Sequence, residues 1–248
     1  MVSRLLLEYD GSGFAGWARQ PGSRTVQEEV ERVLAVLLRV PEVRLTVAGR
    51  TDAGVHALAQ VASYSGEPVL VRSLNALLPD DVAVLECVVA GTEFDARRDA
   101  TSRAYCYRLL ARAARSPIDR SRALHWRHPV DVELLRRCAA ALVGRHDFTA
   151  FTPTDTDHVR FEREVYMAEW RVIVGESLEF WIEADAFMRH MNRVLVGTML
   201  EVAGGRRSVE TFLELLHGRP RALAGPTAPA HGLYLAGVGY GGRRVLEG

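Results

Sequence analysis

Residues 164–183, EVYMAEWRVIVGESLEFWIE, decide the fold class. Two runs rich in Val, Ile and aromatic side chains, 164–174 and 177–183, flank Gly175-Glu176, which is the composition of a β-hairpin. A hairpin joins antiparallel strands, whereas a doubly wound sheet joins parallel strands through helices. The chain is therefore expected to be α+β with mixed or antiparallel sheets. Working outward, residues 4–9 read as a strand followed by a glycine-rich loop as far as Gly22. Thr25-Val26-Gln27-Glu28 has capping-box spacing, and Val26, Val30, Val33, Leu34, Leu37 and Leu38 share one face of a helix that stops before Pro41. Strand-like runs follow at 45–48 and 60–64, then a short helix at 72–77 and a buried strand at 82–89. In the second half the pattern predicts a strand at 104–110, a helix from Asp131 through Val143, the hairpin, a helix over 187–202, a helix capped by Ser208 and a closing strand at 232–240. Two similar β-α-β-β halves are expected, 1–104 and 105–248.

Composition narrows the class further. Of the 248 residues, 48% are hydrophobic and 25% charged, which is ordinary for a globular chain. No apolar run reaches the roughly 18 residues that span a bilayer, and no signal-peptide pattern opens the sequence, so no membrane association and a cytoplasmic location are expected. Cys87, Cys106 and Cys138 are far apart and form no Cys-x-x-Cys pair, which argues for reduced thiols and against a zinc site. All 31 basic residues are arginine; the absence of lysine is read as the codon bias of a GC-rich genome.

Gly49-Arg50-Thr51-Asp52-Ala53-Gly54-Val55-His56 stands at the end of an apolar run and is bracketed by glycines. Strand ends running into tight turns display side chains on rigid supports. If the chain stays extended through Thr51, Arg50 and Asp52 project to one face and can pair, and a guanidinium keeps a carboxylate ionised for attack or proton removal. The alternative is that Asp52 only closes the turn, since Asp-Ala-Gly is good turn chemistry. His56 reads as a hydrogen-bonding scaffold residue.

Other motifs exclude whole classes. Gly11-Ser12-Gly13-Phe14-Ala15-Gly16 matches a dinucleotide-binding fingerprint, but no helix follows it directly: Trp17 and Pro21 intervene and the helix starts only at Thr25. A nucleotide-dependent oxidoreductase is therefore the weakest reading. His125 and His128 lack a third metal ligand, and no nucleophile elbow occurs. Residues 97–127 carry nine arginines against Asp99 and Asp119, a local charge of +7, with Tyr105, Tyr107 and Trp126 among them. Arginine interleaved with aromatics neutralises phosphates and stacks on unpaired bases. The composition fits a catalyst acting on RNA or a non-catalytic RNA-binding module.

Several blocks occur in order: Tyr9-Asp10-Gly11 with Gly16-Trp17, Thr25-Val26-Gln27-Glu28, the Arg50-Thr51-Asp52-Ala53-Gly54-Val55-His56 turn, Asn75-Ala76-Leu77-Leu78-Pro79, Arg103-Ala104-Tyr105-Cys106-Tyr107, Gly144-Arg145-His146-Asp147-Phe148 and Ala230-His231-Gly232-Leu233-Tyr234. Together they resemble the tRNA pseudouridine synthase A family over essentially the whole chain. The resemblance implies isomerisation of uridines in the tRNA anticodon stem-loop, at conventional positions 38, 39 and 40, by a homodimer with no cofactor, no metal and no other protein partner. It implies two halves flanking a central basic RNA-binding cleft. By position, Asp52 matches the family's catalytic aspartate, Arg50 its accompanying arginine and Tyr105 the tyrosine that stacks on the target base, while Arg193 and Leu233 match pocket-lining positions. The chain departs from the family pattern at Ala18, Asp95 and Asn192.

Overall fold

β1 (Val2–Tyr9) buries Ser3, Leu5, Leu7 and Tyr9 and turns the alternate residues outward, the period of a strand with one covered face. It pairs antiparallel with β3 (His56–Ser65) on one side and with β4 (Val82–Ala90) on the other. β2 (Thr46–Val47) adds to β3, and β10 (Leu233–Tyr240) runs parallel to β3, giving the strand order β4-β1-β3-β10. α1 (Val26–Leu38) packs against α2 (Val71–Leu77), and α2 against β4. Ala48, Val61 and Ala96 form a small second core with Leu6, Phe94, Val238 and Tyr240. The computed structural model describes residues 1–156 and 159–246. These elements make up the first of two compact units, Met1–Arg103 with Tyr234–Val245.

The second unit, Ala104–Leu233 with the last few residues, is organised around the hairpin. β8 (Glu162–Val172) and β9 (Ser177–Ala184) pair antiparallel, from Val165 opposite Ala184 to Val172 opposite Leu178, and the turn places Gly175 at φ 55°. The Gly175-Glu176 turn and its alternating flanks are where the sequence puts them. β7 (Gly144–Asp147) extends the hairpin, and β5 (Ala100–Leu110), whose first residues belong to the first unit, continues the order as β5-β9-β8-β7. β6 (Leu124–His125) pairs parallel to β5. α3 (Val132–Ala140) packs against β8 and α4 (Met191–Ala203), and α5 (Val209–Glu214) packs against both helices. Nearly every residue of α4 is buried, the signature of a central helix. Parallel and antiparallel pairs alongside five α-helices among the described residues make the chain α+β with mixed sheets.

Two caps follow the sequence: Asp131 Oδ1 accepts the Glu133 and Leu134 amides, and Ser208 accepts that of Thr211. Three local expectations do not hold. Thr25 stands at the N-cap, but its hydroxyl is fully buried and accepts no helix amide, so the capping-box spacing is not used as one. β4 is an edge strand in its unit, and Leu85 and Val89 are exposed rather than buried. The helix expected from Phe187 begins four residues later, because His190 sits at φ 63° and the Met191 amide closes a turn onto the Met188 carbonyl. Phe187 and Arg189 thus lie in a loop.

Candidate active site

In the first unit the end of β2 leads straight into the Asp52 turn, and both sides of that turn are fixed. The approach is held from α1: Glu31 is buried, accepts the Leu45 amide at 2.9 Å and the Gln27 amide group at 2.7 Å, and lies 3.4 Å from Arg19. Arg103 grips the Ala48 carbonyl with Nε and a terminal nitrogen at 3.2 and 2.9 Å. Gln60 Nε2 donates to the Gly49 carbonyl at 2.7 Å. The turn itself is closed by the Val55 amide on the Asp52 carbonyl, with Gly54 at φ 78°, the sign a type II turn requires at its third position.

The loop after β1 lies directly against this turn. The Trp17 amide donates to the Thr51 carbonyl at 3.1 Å, and the Gly54 amide to the Phe14 carbonyl at 3.4 Å. A Cβ at Gly11 would sit 2.0 Å from the Val55 carbonyl oxygen, and one at Gly16, where φ is 102°, 2.8 Å from that of Thr51. The glycines that mimic a dinucleotide fingerprint serve close backbone approach to the Asp52 turn. Gly11-Ser12-Gly13 forms a single 3-10 turn, and α1 begins thirteen residues after it, so no helix N-terminus faces that loop as phosphate binding requires.

Side chains complete the cradle. Tyr9 Oη and Thr51 Oγ1 are 2.8 Å apart, and Gln60 Nε2 is 3.4 Å from the same phenol. Burial pushes the Tyr9 hydroxyl up to about 12, so it stays protonated near neutral pH. The Gly11 amide donates to His56 Nδ1 at 3.0 Å, and the imidazole stacks on Tyr234 at 4.6 Å. Asp10 Oδ1, 3.2 Å from the same nitrogen, accepts the Ser12 amide. His56 is the scaffold residue its sequence context implies.

Arg50 is exposed and Asp52, the first residue of the turn, is half-buried.

In the second unit Tyr105 is buried on β5 and meets the edge of Phe187 at 5.0 Å with the rings 78° apart. Tyr107, two residues on and so on the same face of the strand, donates to the Pro229 carbonyl at 2.9 Å. Burial raises its hydroxyl far above the ordinary tyrosine value. The 225–232 loop is fastened to α4: Arg193 Nε donates to the Ala228 carbonyl at 2.8 Å, the Ala228 amide returns to the Arg193 carbonyl, and Thr198 Oγ1 accepts the Gly225 amide. A Cβ at Gly197 would fall 1.8 Å from the Pro226 carbonyl oxygen, and one at Gly232 2.7 Å from the Tyr107 ring. Tyr107 and Arg193 thereby meet the same loop, which leads into the buried Leu233. Phe187, which the sequence places inside a helix, packs on Tyr105.

The basic segment is less free than its composition implies. Arg98 pairs with Asp99, Arg103 is spent on backbone carbonyls, Arg108 pairs with Glu179 at 3.2 Å and Arg112 donates to the Ala114 carbonyl. Arg115, Arg120, Arg122 and Arg127 remain exposed. Arg115 and Arg127 line a groove of about 650 Å³ with His125, Trp126, His128 and Pro229, and Arg115 and Arg120 line a second of about 580 Å³ with His125 and His231. His125 Nε2 bonds the Arg112 carbonyl at 2.8 Å. Among the described residues no helix is long and apolar enough to cross a membrane.

Residues 138–241 match the family described as tRNA pseudouridine synthase. The tRNA pseudouridine synthase A of Myxococcus xanthus is 42% identical over 96% of this chain and 91% of its own. The enzyme of the same name from Thermus thermophilus is 44% identical over 95% of each chain, and that of Methylococcus capsulatus 44% identical over 94% of this chain and 88% of its own. By this likeness over nearly its whole length, the chain is a member of the tRNA pseudouridine synthase A family.

Proposed function

We propose that the chain isomerises uridine to pseudouridine in tRNA, with Asp52 as the catalytic residue and the anticodon stem-loop, at positions 38, 39 and 40, as its target. The N1–C1′ bond of the nucleotide breaks, the uracil turns and a C5–C1′ bond forms. The C5 proton leaves and N1 takes up a proton, so atoms balance and no redox partner is needed. A carboxylate serves either route to this exchange, by attack on the sugar carbon or by removal of a ribose proton. The observation that carries the reading is the placement of Asp52 on a turn whose backbone is held from both sides, which gives the carboxylate a fixed backbone support before substrate arrives.

The other roles follow from residue chemistry and the family resemblance. The target base must leave its stack, at a cost of a few kcal/mol, and stacking on an aromatic ring such as Tyr105 returns about 1–3 kcal/mol. Arg193 and Leu233 line the uracil pocket. Arg50, exposed beside Asp52, fills the gap the flipped base leaves and meets developing charge on the detached uracil. We take the working form to be a cytoplasmic homodimer.

tRNA carrying tritium at uridine C5 tests the activity, since joining through C5 must release the label. Release to solvent is expected; tRNA binding without release would make the chain a non-catalytic RNA-binding module. The exposed arginines of the second unit supply phosphate contacts that fix register without reading sequence. Replacing Arg115 and Arg127 by serine is expected to raise KM, leave kcat unchanged at saturating tRNA, and lower the slope of log affinity against log salt by about 1 for each phosphate no longer neutralised. A salt titration of binding checks this, and an unchanged slope would remove these residues from the interface.

A further inference from the structure

We infer that Tyr9 and Gln60 are positioning residues for Asp52, acting through Thr51. The inference rests on the catalytic role proposed above for Asp52. Gln60 is completely buried and its two amide hydrogens have separate duties: one reaches the Gly49 carbonyl at 2.7 Å, the other the Tyr9 phenol at 3.4 Å. Tyr9 Oη, which accepts from Gln60, shares a hydrogen bond with Thr51 Oγ1 2.8 Å away, in which either hydroxyl can donate. The relay runs from the middle of β3 to both ends of the Gly49-Arg50-Thr51 segment, immediately before Asp52. The Thr51 backbone is meanwhile held on its other side by the Trp17 amide.

This arrangement differs from a generic buried hydrogen bond in where its strain would go. All three partners are buried, so deleting one hydroxyl leaves its neighbours a bond short with no water to replace it. The least constrained way to relieve that deficit is a shift of Thr51, and Asp52 moves with it. Near the chemistry a displacement of about 1 Å costs on the order of 100-fold in rate. Substrate binding depends on other surfaces and is not expected to change.

Steady-state and single-turnover tritium release from C5-labelled tRNA test the inference in Tyr9→Phe, Thr51→Val and Thr51→Ser. Tyr9→Phe and Thr51→Val are expected to lower kcat by about 10- to 100-fold with KM within twofold of wild type. Thr51→Ser keeps the hydroxyl and should stay within about threefold. The double variant Tyr9→Phe/Thr51→Val should be no slower than the worse single one, as for two ends of one bond. Circular dichroism melts separate misfolding from mispositioning, and Thr51→Ser keeps the test readable if a larger change unfolds the chain. Tyr9→Phe with wild-type kcat, or Thr51→Ser as slow as Thr51→Val, overturns the inference. If wild type itself releases no tritium, the proposed activity fails instead, and the two failures are distinct.

Discussion

Gly11→Ala is expected to lower kcat by about 100-fold or more while leaving a folded protein, an effect out of proportion to one methyl group. The new Cβ would lie 2.0 Å from the Val55 carbonyl oxygen and 2.5 Å from its carbon, far inside contact distance. Neither partner is the end of a flexible side chain, so backbone must move. Val55 closes the turn onto Asp52, and the Gly11 amide is also the hydrogen-bond donor to His56, so displacement passes straight to the carboxylate. Overpacking of this kind typically costs about 1–3 kcal/mol of stability, small against the loss of rate. Gly91→Ala is the matched control, because nothing lies within 4 Å of its added Cβ. Activity assays and thermal melts of both variants check the prediction; Gly11→Ala with wild-type kcat would show that the cradle does not position the turn.

The second large effect belongs to Asp52. Asparagine has the same size and keeps a hydrogen-bonding side chain, and the substitution leaves in place the Asp52 backbone carbonyl that accepts the Val55 amide and closes the turn. Asp52→Asn should therefore fold and bind tRNA like wild type. What it lacks is the negative oxygen that attacks the sugar or removes a proton. Losing a positioned group of that kind costs up to about 10⁴-fold, and here no second carboxylate is proposed to replace it. Lengthening by one methylene in Asp52→Glu is expected to be nearly as damaging, since the turn holds the backbone in place.

How far the sequence reached depended on whether a feature had a local cause. The hairpin was legible because alternation and Gly175-Glu176 lie within twenty residues, and Asp131 and Ser208 because caps act over one helical turn. The Asp-Ala-Gly turn was legible for the same reason. Features with distant causes were not. Gly11 and Gly16 carry the local signature of a phosphate loop, yet what demands glycine there is backbone some forty residues further on. Arg103 looked like a phosphate contact in a basic stretch, but its long side chain reaches the Ala48 carbonyl. Composition records charge and not reach.

Two further misses have the same origin. A left-handed His190 has no signature in sequence, since that conformation is imposed by packing, and so α4 starts four residues later than its periodicity predicts. Leu85 and Val89 read as core because strand periodicity cannot say whether a strand lies inside a sheet or at its edge. The parallel pairing of Tyr234 with His56 and Leu235 with Ala57 joins residues 178 positions apart (234 − 56). It places Tyr234 on the scaffold histidine of the Asp52 turn, a neighbour that no window of sequence contains.

The most direct test of the central role of Asp52 is tritium release from C5-labelled tRNA by wild type and Asp52→Asn under single-turnover conditions, with tRNA binding measured alongside. Release by wild type is predicted, and equal binding with no detectable release by Asp52→Asn. Release by Asp52→Asn at the wild-type rate would contradict that role.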